Sequence, residues 1–400
     1  MFNKKYSTRE KYLNQVIPYV DQDIIKVILW QRRTGKSYFL YMIIDSLLTD
    51  QGVAESDILY LNKEDLKRDH IQTYTELNDI AKRYRYIFID EVDRIQQREK
   101  AIASLKASWN HDIYITWSNS TMLEWELASL LWWRYISFTM YPLDYMEFLH
   151  FHWLENIDWS LELYFEFGGM PLLKEIWLTD LASKYMEWLY STIFLKDIVE
   201  RHWLRKTNLL RKILKYLAQH VTTLISANRI SKYYKQEKVT WMTPNNIIDR
   251  LNKCEQAHLI QHVSRYDLKW KTTLSNNQKR YFTDVGLRNF ITWWYNPVID
   301  IEKVIENIVF NHLQSHGYEI LVWEIKWQEI DFIAKKESLT TYIQVCFRLS
   351  SQDTINREFG NLEMIHKNNK KIVISMDKLF DWEYDGIQHI NLREFLSSFN

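Results

Sequence analysis

The sequence predicts an α/β protein of several domains, and the first of them is built on a parallel β-sheet. Two observations predict that sheet. The apolar residues 27–29 lead into "WQRRTGKS" and then into an amphipathic stretch, which indicates a strand, a tight loop and a helix. The run "YIFI" at residues 86–89 ends in Asp90 and Glu91, which indicates a buried strand with acidic groups at its carboxyl end.

Length and composition limit the class of protein. The chain has 400 residues, of which 46% are hydrophobic, and this is enough for two to four domains at about 100–200 residues each. The start "MFNKKYSTREKYLNQ" lacks the apolar core of a signal peptide, and the longest apolar stretch contains Glu124, Glu126 and Arg134. Cys254 and Cys346 predict neither a disulfide framework nor a zinc site. We therefore expect a cytoplasmic protein without a membrane partner.

The stretch that ends in Gly-Lys-Ser fits a phosphate-binding loop except at its first position. Trp30 stands where the pattern G-x-x-x-x-G-K-[ST] has its leading glycine. In such a loop, backbone N–H groups and the lysine hold phosphates, and the hydroxyl binds Mg²⁺. The residues predicted to bind the nucleotide are Trp30, Arg33, Thr34, Gly35, Lys36, Ser37 and Tyr38.

Polar residues after two further strands complete a predicted site for ATP and Mg²⁺. Asp90 is expected to bind the metal together with Ser37, and Glu91 is expected to orient the attacking water. A third strand, "DIYITW", leads to Asn119, which can reach the γ-phosphate or that water, and Arg134 can meet phosphate charge in its own subunit or a neighbour's. We expect an ATP hydrolase, and its predicted catalytic residues are Lys36, Glu91, Asn119 and Arg134.

Glycine and tryptophan depart from their usual frequencies in opposite directions. The chain has 8 glycines and 18 tryptophans, and the two together come to 6.5% of the chain, close to the usual glycine share of about 7%. Trp30, Trp117 and the pair Trp132 and Trp133 stand at a loop, a strand end and an expected turn, where glycine is favoured. Our hypothesis is that UGA encodes glycine in this gene. The alternative is a tryptophan-rich protein with a degenerate phosphate-binding loop.

Five stretches occur in a specific order along nearly the whole chain: "QRRTGKSYFL", "YIFIDEVDRI", "ITWSNSTMLEWELASLLWWRYISFTMYPLDYMEFL", "FEFGGMP" and "YFTDVGLRN". They resemble a widespread group of prokaryotic AAA+ ATPases that carry a C-terminal domain of unknown function. That group has "GSNS", "SGELA" and "GRY" where this chain has Trp117, Trp125 and Trp133.

The resemblance implies a RecA-like P-loop AAA+ domain followed by a helical lid. It also implies P-loop roles for Lys36 and Ser37 and Walker B roles for Asp90 and Glu91. Asn119 would be the sensor, and Arg134 would be the arginine finger. We place the ATPase core at 1–150, the lid at 151–204, a winged helix-turn-helix at 205–290 and a C-terminal α/β domain at 291–400.

Residues 201–285 contain 17 Lys or Arg against 5 Asp or Glu, although the whole chain is neutral. Three helical stretches, ending in "TPNNIIDRLNKCEQAHLI", precede two strand-like stretches, "QHVSRYDLKW" and "KRYFTDVGL", which predicts a winged helix-turn-helix. The basic charge favours contact with double-stranded DNA, and the candidate phosphate ligands are Arg250, Lys253, Lys269 and Lys271. Docking of another protein or of a second copy is the alternative.

The C-terminal pattern of one helix and three strands resembles the restriction-endonuclease fold. Glu306, Asp331, Gln344 and Cys346 stand at the expected site positions. A nuclease of that type needs acidic metal ligands and a lysine, whereas Gln344 replaces an acid and Cys346 replaces the lysine. The predicted site is therefore degenerate, and cleavage is not expected.

The sequence as a whole predicts an ATPase that couples Mg-ATP binding and hydrolysis to a conformational change of a basic, DNA-binding module. Two alternatives are a nucleotide-gated protein adaptor without a DNA role and an ATP-dependent nuclease.

Overall fold

The computed structural model describes residues 6–29, 31–63, 71, 73–107, 110–117, 135–176, 180–237, 239, 242–267, 272–325, 328–365, 369–378 and 383–398. The chain divides into two compact units. The first comprises Met1–Tyr141 and Gln256–His258, and the second comprises Pro142–Glu255 and Leu259–Asn400. The bounds of the four domains expected from the sequence stay a prediction.

The first unit contains a five-stranded parallel sheet with helices in its connections. The strands are β1 (Ile25–Leu29), β2 (Ile58–Asn62), β3 (Tyr86–Asp90), β4 (Asp112–Trp117) and β5 (Tyr135–Thr139). The helices are α1 (Glu10–Val16), α2 (Lys36–Thr49), α3 (Tyr74–Ala81) and α4 (Arg98–Ala107). The strand order is β2-β3-β4-β1-β5, and every pairing is parallel. The predicted α/β class with a parallel sheet is confirmed.

Strand β3 shows why this sheet reads as unbroken apolar runs. All five of its residues are buried. Ile87 and Ile89 pack in one hydrophobic cluster, while Tyr86 and Phe88 pack in another. Alternate side chains point to opposite faces of a strand, so both faces of the sheet are covered, as is usual for parallel sheets.

The second unit begins with helices and ends with an α/β region. Its helices are α5 (Tyr145–His152), α6 (Asp158–Phe167), α7 (Leu173–Ile176), α8 (Asp180–Thr192), a π-helical stretch (Ile193–Glu200), α9 (Thr207–Gln219), α10 (Ala227–Gln236), α11 (Pro244–Gln256), α12 (Val285–Ile291), α13 (Pro297–Ser315), α14 (Gln352–Glu363) and α15 (Leu392–Ser398). The stretch "YPLDYMEFL" starts α5 with a capping box. Asp144 accepts a bond from the Glu147 N–H at 2.9 Å, and Glu147 accepts one from the Asp144 N–H at 3.1 Å.

The stretches "FEFGGMP" and "YFTDVGLRN" pack against each other. Asp284 accepts hydrogen bonds from the Gly169 N–H at 2.7 Å and from the Leu287 N–H at 3.0 Å, so it caps the start of α12 and fixes the chain after α6. The Asn289 amide donates to the carbonyl of Phe165 at the end of α6 at 2.9 Å. These contacts give the two motifs a shared packing role.

An eight-stranded sheet unites the hairpin after α11 with the C-terminal strands. The strands are β6 (Ile260–Asp267), β7 (Thr272–Phe282), β8 (Glu319–Ile325), β9 (Gln328–Lys336), β10 (Leu339–Val345), β11 (Lys370–Ser375), β12 (Glu383–Tyr384) and β13 (Ile387–Asn391), and their order is β12-β13-β11-β10-β9-β8-β6-β7. The second predicted wing strand differs from β7. Strand β7 starts at Thr272 and ends at Phe282, whereas the predicted strand "KRYFTDVGL" continues beyond that point. The strand ends there because Asp284 caps helix α12.

Four tryptophans adopt a backbone conformation that bulky side chains rarely take. They are Trp153, Trp203, Trp293 and Trp294, with φ of 53°, 50°, 69° and 91°. They make up half of the eight tryptophans within the described ranges. Positive φ costs a residue with a Cβ about 1–2 kcal/mol, and it is ordinarily a glycine conformation.

No helix among the described ranges combines the length and the apolar character needed to cross a bilayer.

Candidate functional site

The phosphate-binding stretch forms a loop between β1 and α2. Gly35 stands at the N-cap of α2 with φ of 96°, and Lys36 is the first residue of that helix. Arg33 also has positive φ, at 71°. The loop thus turns in a conformation that needs glycine at position 35. Trp30 lies outside the described residues.

Side chains from α2 and β3 converge beside this loop. The Lys36 ammonium is buried and donates to the Gln31 carbonyl at 2.9 Å. Burial raises the pKa of Asp90, while hydrogen bonds from the Ser37 and Thr116 hydroxyls and the Lys36 charge act in the opposite direction. The predicted metal ligands Ser37 and Asp90 are therefore close enough for the Ser37 hydroxyl to affect the pKa of Asp90.

Thr116 links the two acidic residues, and sequence reasoning missed it. Its hydroxyl donates to Asp90 Oδ1 at 2.6 Å and accepts from the Glu91 N–H at 2.8 Å. Tyr60 donates to the other Asp90 oxygen at 3.1 Å. One signal in the sequence could have indicated Thr116, because it is the polar residue that follows the apolar run of β4. Strand β4 lies between β1 and β3 in the sheet, so Thr116 is next to the end of β3.

Glu91 is held in a strained backbone conformation. Its φ is 57° and its ψ is 54°, and the residue is 8% exposed. Non-glycine residues in the left-handed region cost about 1–3 kcal/mol and cluster at functional sites. The Thr116 hydroxyl and the turn bond from the Arg94 N–H to the Glu91 carbonyl, at 3.2 Å, hold this conformation.

Arg9 is a second residue that the sequence did not reveal. It is 3% exposed, and its guanidinium donates to the Thr34 carbonyl at 3.3 Å and to the Tyr141 carbonyl at 2.9 Å. The same group lies over the Tyr12 ring at 4.5 Å. Arg9, which directly precedes α1, therefore contacts the phosphate-binding loop through the Thr34 carbonyl.

Two of the remaining residues predicted for the ATP site, Thr34 and Tyr38, lie within the part of the chain that the structure describes. Thr34 is buried and donates to the Gln31 carbonyl at 3.0 Å, whereas Tyr38 is 48% exposed on α2. Asn119 and Arg134 lie outside the described residues.

In the second unit, three carboxylates surround one buried lysine. Lys279 Nζ on β7 lies 2.8 Å from Glu306 Oε1, 2.6 Å from Glu329 Oε1 and 3.0 Å from Asp331 Oδ1. We call Glu306, Glu329 and Asp331 the carboxylate cluster. The predicted residues Glu306 and Asp331 are thus brought together, and the lysine between them comes from a strand that the sequence analysis assigned to the wing.

The other two predicted residues of the degenerate site lie beside this cluster. Gln344 Oε1 accepts from the Asp331 N–H at 3.3 Å. Cys346 is buried in a hydrophobic cluster, and this burial raises the pKa of its thiol. Burial also raises the pKa of Glu358 on α14, and hydrogen bonds from Arg357 and Gln344 act against that shift. Glu358 is a further acid that the sequence did not indicate.

Two of the four candidate DNA ligands can be placed, and both lie on α11. Arg250 donates to the Asn246 carbonyl at 3.0 Å, and Lys253 pairs with Asp249 at 2.6 Å. Lys269 and Lys271 lie outside the described residues.

Within the part of the chain that the structure describes, no group of three or more His, Cys, Asp or Glu side chains could hold a metal ion.

Two family models match the chain. Residues 22–149 match an AAA domain, and residues 158–296 match a domain of unknown function. The AAA match coincides with the parallel sheet and the loop that precedes α2. These residues form a P-loop ATPase domain, as the sequence predicted.

Proteins that align with the chain include two curated sequences and two solved structures. An uncharacterized protein of Haemophilus influenzae is 34% identical over 411 residues, which cover 98% of this chain and 99% of that protein. One of Methanocaldococcus jannaschii is 27% identical over 390 residues, 92% of this chain and 84% of that protein. The Thermotoga maritima RuvB Holliday junction branch migration motor aligns with 13% identity and a TM-score of 0.35, over 66% of this chain and 94% of that chain. The Drosophila ORC structure with AT-rich DNA and Cdc6 aligns with 10% identity and a TM-score of 0.22, over 70% and 88%.

Proposed function

We propose that this chain hydrolyses ATP and uses the nucleotide state to control DNA binding. The chain belongs to the same family as the uncharacterized Haemophilus influenzae protein, and it carries an AAA domain at residues 22–149. The observation that carries the ATPase proposal is the convergence of Lys36, Ser37 and Asp90 beside the loop, with Thr116 joining Asp90 to Glu91.

These residues fit Mg-ATP by their chemistry. The Ser37 hydroxyl and the Asp90 carboxylate, which lie near each other, are oxygen ligands of the kind that Mg²⁺ prefers. The Lys36 ammonium and the N–H groups at the start of the 14-residue helix α2 would hold the phosphates. When bound, Mg²⁺ neutralises phosphate charge, and Glu91 would orient the water that attacks. Asn119 and Arg134 keep their proposed sensor and arginine-finger roles.

We also propose that the native chain carries glycine at several positions written as tryptophan. The anomalous composition motivates this hypothesis, and the positive φ of Trp153, Trp203, Trp293 and Trp294 supports it at positions that the composition did not single out. Trp117 differs, because it is buried within β4 and has no positive φ. Sequencing of peptides from the native organism tests the hypothesis, and tryptophan at positions 30 and 132 would refute it.

Magnesium-dependent ATP hydrolysis should be measured on two versions of the protein. One has the sequence as written, and the other has glycine in place of Trp30, Trp117, Trp125, Trp132 and Trp133. We expect hydrolysis only from the glycine version, because the phosphate-binding pattern has glycine at position 30, and a side chain there is expected to hinder the approach of the backbone to the phosphates. A folded glycine version that neither binds nor hydrolyses ATP would contradict the ATPase proposal, and equal activity of both versions would contradict the glycine hypothesis.

The change Trp203→Gly is expected to raise the free energy of unfolding by about 1 kcal/mol, because it removes left-handed strain at a site that is 89% exposed. Trp188→Gly is the matched control. That side chain is 44% exposed within helix α8, where glycine should cost about 1 kcal/mol. Chemical denaturation measures both changes, and the same sign for the two variants would show that backbone strain at Trp203 is not the cause.

The DNA part of the proposal is supported by charge and by element order. Helices α9, α10 and α11 precede the β6–β7 hairpin, and an isolated bridge joins Ile225, between α9 and α10, to Gln278 on β7. This order is that of a winged helix-turn-helix. The excess of basic residues over residues 201–285 suits a phosphate backbone. Helix α11, with Arg250 and Lys253, is the proposed recognition helix.

Affinity for duplex DNA should fall steeply with salt concentration. Removal of a phosphate contact lowers the slope of log K against log salt by about 1, so Arg250→Gln and Lys253→Gln should each do this across unrelated DNA sequences. Fluorescence anisotropy over a salt series, with and without a non-hydrolysable ATP analogue, measures both the slope and the nucleotide dependence. Binding without salt dependence would favour the protein adaptor. Magnesium-dependent cutting that disappears in Asp331→Ala would favour the nuclease.

A further inference from the structure

The carboxylate cluster already contains a cation that belongs to the chain. Lys279 is 1% exposed, and its ammonium lies 2.6–3.0 Å from Glu306, Glu329 and Asp331. The lysine comes from β7, whereas the carboxylates come from α13 and β9. The contact therefore joins elements that are distant along the chain.

Each charge in this group depends on the others. Burial lowers the pKa of Lys279, but the neighbouring carboxylates raise it by more, so the amine stays charged. Burial raises the pKa of Glu306, although the charge of Lys279 and the hydrogen bonds from Lys279 and Tyr281 oppose that shift. Tyr281 donates to Glu306 Oε1 at 2.7 Å, and the Val345 N–H donates to Asp331 Oδ2 at 3.0 Å. A buried charge that loses its partner costs far more than the pair contributes.

We propose that Lys279 is the built-in cation of the carboxylate cluster. Its ammonium fills the position that a metal ion would take among acidic groups, so the cluster serves to hold the hairpin rather than to bind a divalent ion.

A second contact, besides the one made by Lys279, joins strand β7 to helix α13. Asn307 on α13 accepts from the Phe282 N–H at 2.9 Å and donates to the Phe282 carbonyl at 2.7 Å. Strand β6 also pairs in parallel with β8. The hairpin is therefore a fixed edge of the C-terminal sheet. This inference does not depend on ATP hydrolysis or on DNA binding.

Charge rescue tests the proposal. Lys279→Met should lower Tm by about 10 °C, because it leaves buried carboxylates without a cation. Adding Glu306→Gln and Asp331→Asn to that variant should restore at least half of the loss. Lys371→Met, on the same sheet but partly exposed, is the matched control and should change Tm by about 1 °C or less. A triple variant as unstable as Lys279→Met would overturn the proposal.

Divalent ions provide a second measurement. Without nucleotide, Mn²⁺ at about 10 mM should raise the Tm of Lys279→Ala by about 2–4 °C. It should have no such effect on the wild type or on Lys279→Ala combined with Asp331→Asn. An equal Mn²⁺ response of the wild type and Lys279→Ala, or no response of Lys279→Ala, would overturn the assignment of Lys279 as the cation. If Lys279→Ala does not fold, the charge-rescue series decides the question alone.

Discussion

Glu91→Gln is expected to lower ATP turnover at least about 100-fold while ATP affinity stays within about threefold. The amide keeps the size of the side chain, and the Thr116 hydroxyl still accepts from the backbone N–H at position 91, but the carboxylate that would orient the water is gone. Lys36→Ala should instead weaken ATP binding, because it removes the ammonium beside the loop. Steady-state hydrolysis and equilibrium binding of ATP, measured on whichever of the two versions is active, separate the effects.

Glu55→Gln is the matched control for this experiment. It also exchanges a carboxylate for an amide in the first unit, but on an exposed 3₁₀ turn before β2, so turnover should stay unchanged. If Glu91→Gln hydrolyses ATP at the normal rate, Glu91 does not orient the water, and the proposed catalytic site is wrong.

Gly286→Ala is expected to lower the free energy of unfolding by about 3 kcal/mol or more. A Cβ at this position would lie 2.1 Å from the Phe167 carbonyl oxygen and 2.7 Å from Met186 Cε. The oxygen belongs to the backbone at the end of α6, so α6 and α12 would have to separate. That separation would also strain the Asn289 bonds to the carbonyls that end α6. Chemical denaturation measures the loss.

Gly360→Ala makes the same chemical change without the steric conflict. Gly360 lies in helix α14, and a Cβ there would meet nothing within 4 Å. Alanine favours a helix interior over glycine by about 1 kcal/mol, so this variant should be more stable than the wild type. A Gly286→Ala protein as stable as Gly360→Ala would show that the close approach of α6 and α12 is not required.

Local patterns allowed much of the fold to be predicted. The apolar runs of β1, β3 and β4 and the Gly-Lys-Ser start of α2 depend on residues that are near one another in sequence. The proximity of Ser37 to Asp90 was also predictable, because the loop before α2 follows the carboxyl end of β1, and the carboxyl ends of parallel strands share one edge of a sheet. The start of α12 shows the limit, because Val285 begins a helix capped by Asp284 within the stretch that was predicted to be a strand.

What the sequence by itself determined is the class of the first domain, the set of residues proposed for its ATP site and the basic character of residues 201–285. These follow from periodicity, motif spacing and charge. Only the tertiary structure decided that Thr116 joins Asp90 to Glu91, that Gly286 admits no Cβ and that Lys279 fills the carboxylate cluster. Lys279 and Asp331 are 52 residues apart along the chain. Such contacts depend on which elements pack together, and packing is set by the burial of many apolar side chains at once rather than by any local pattern.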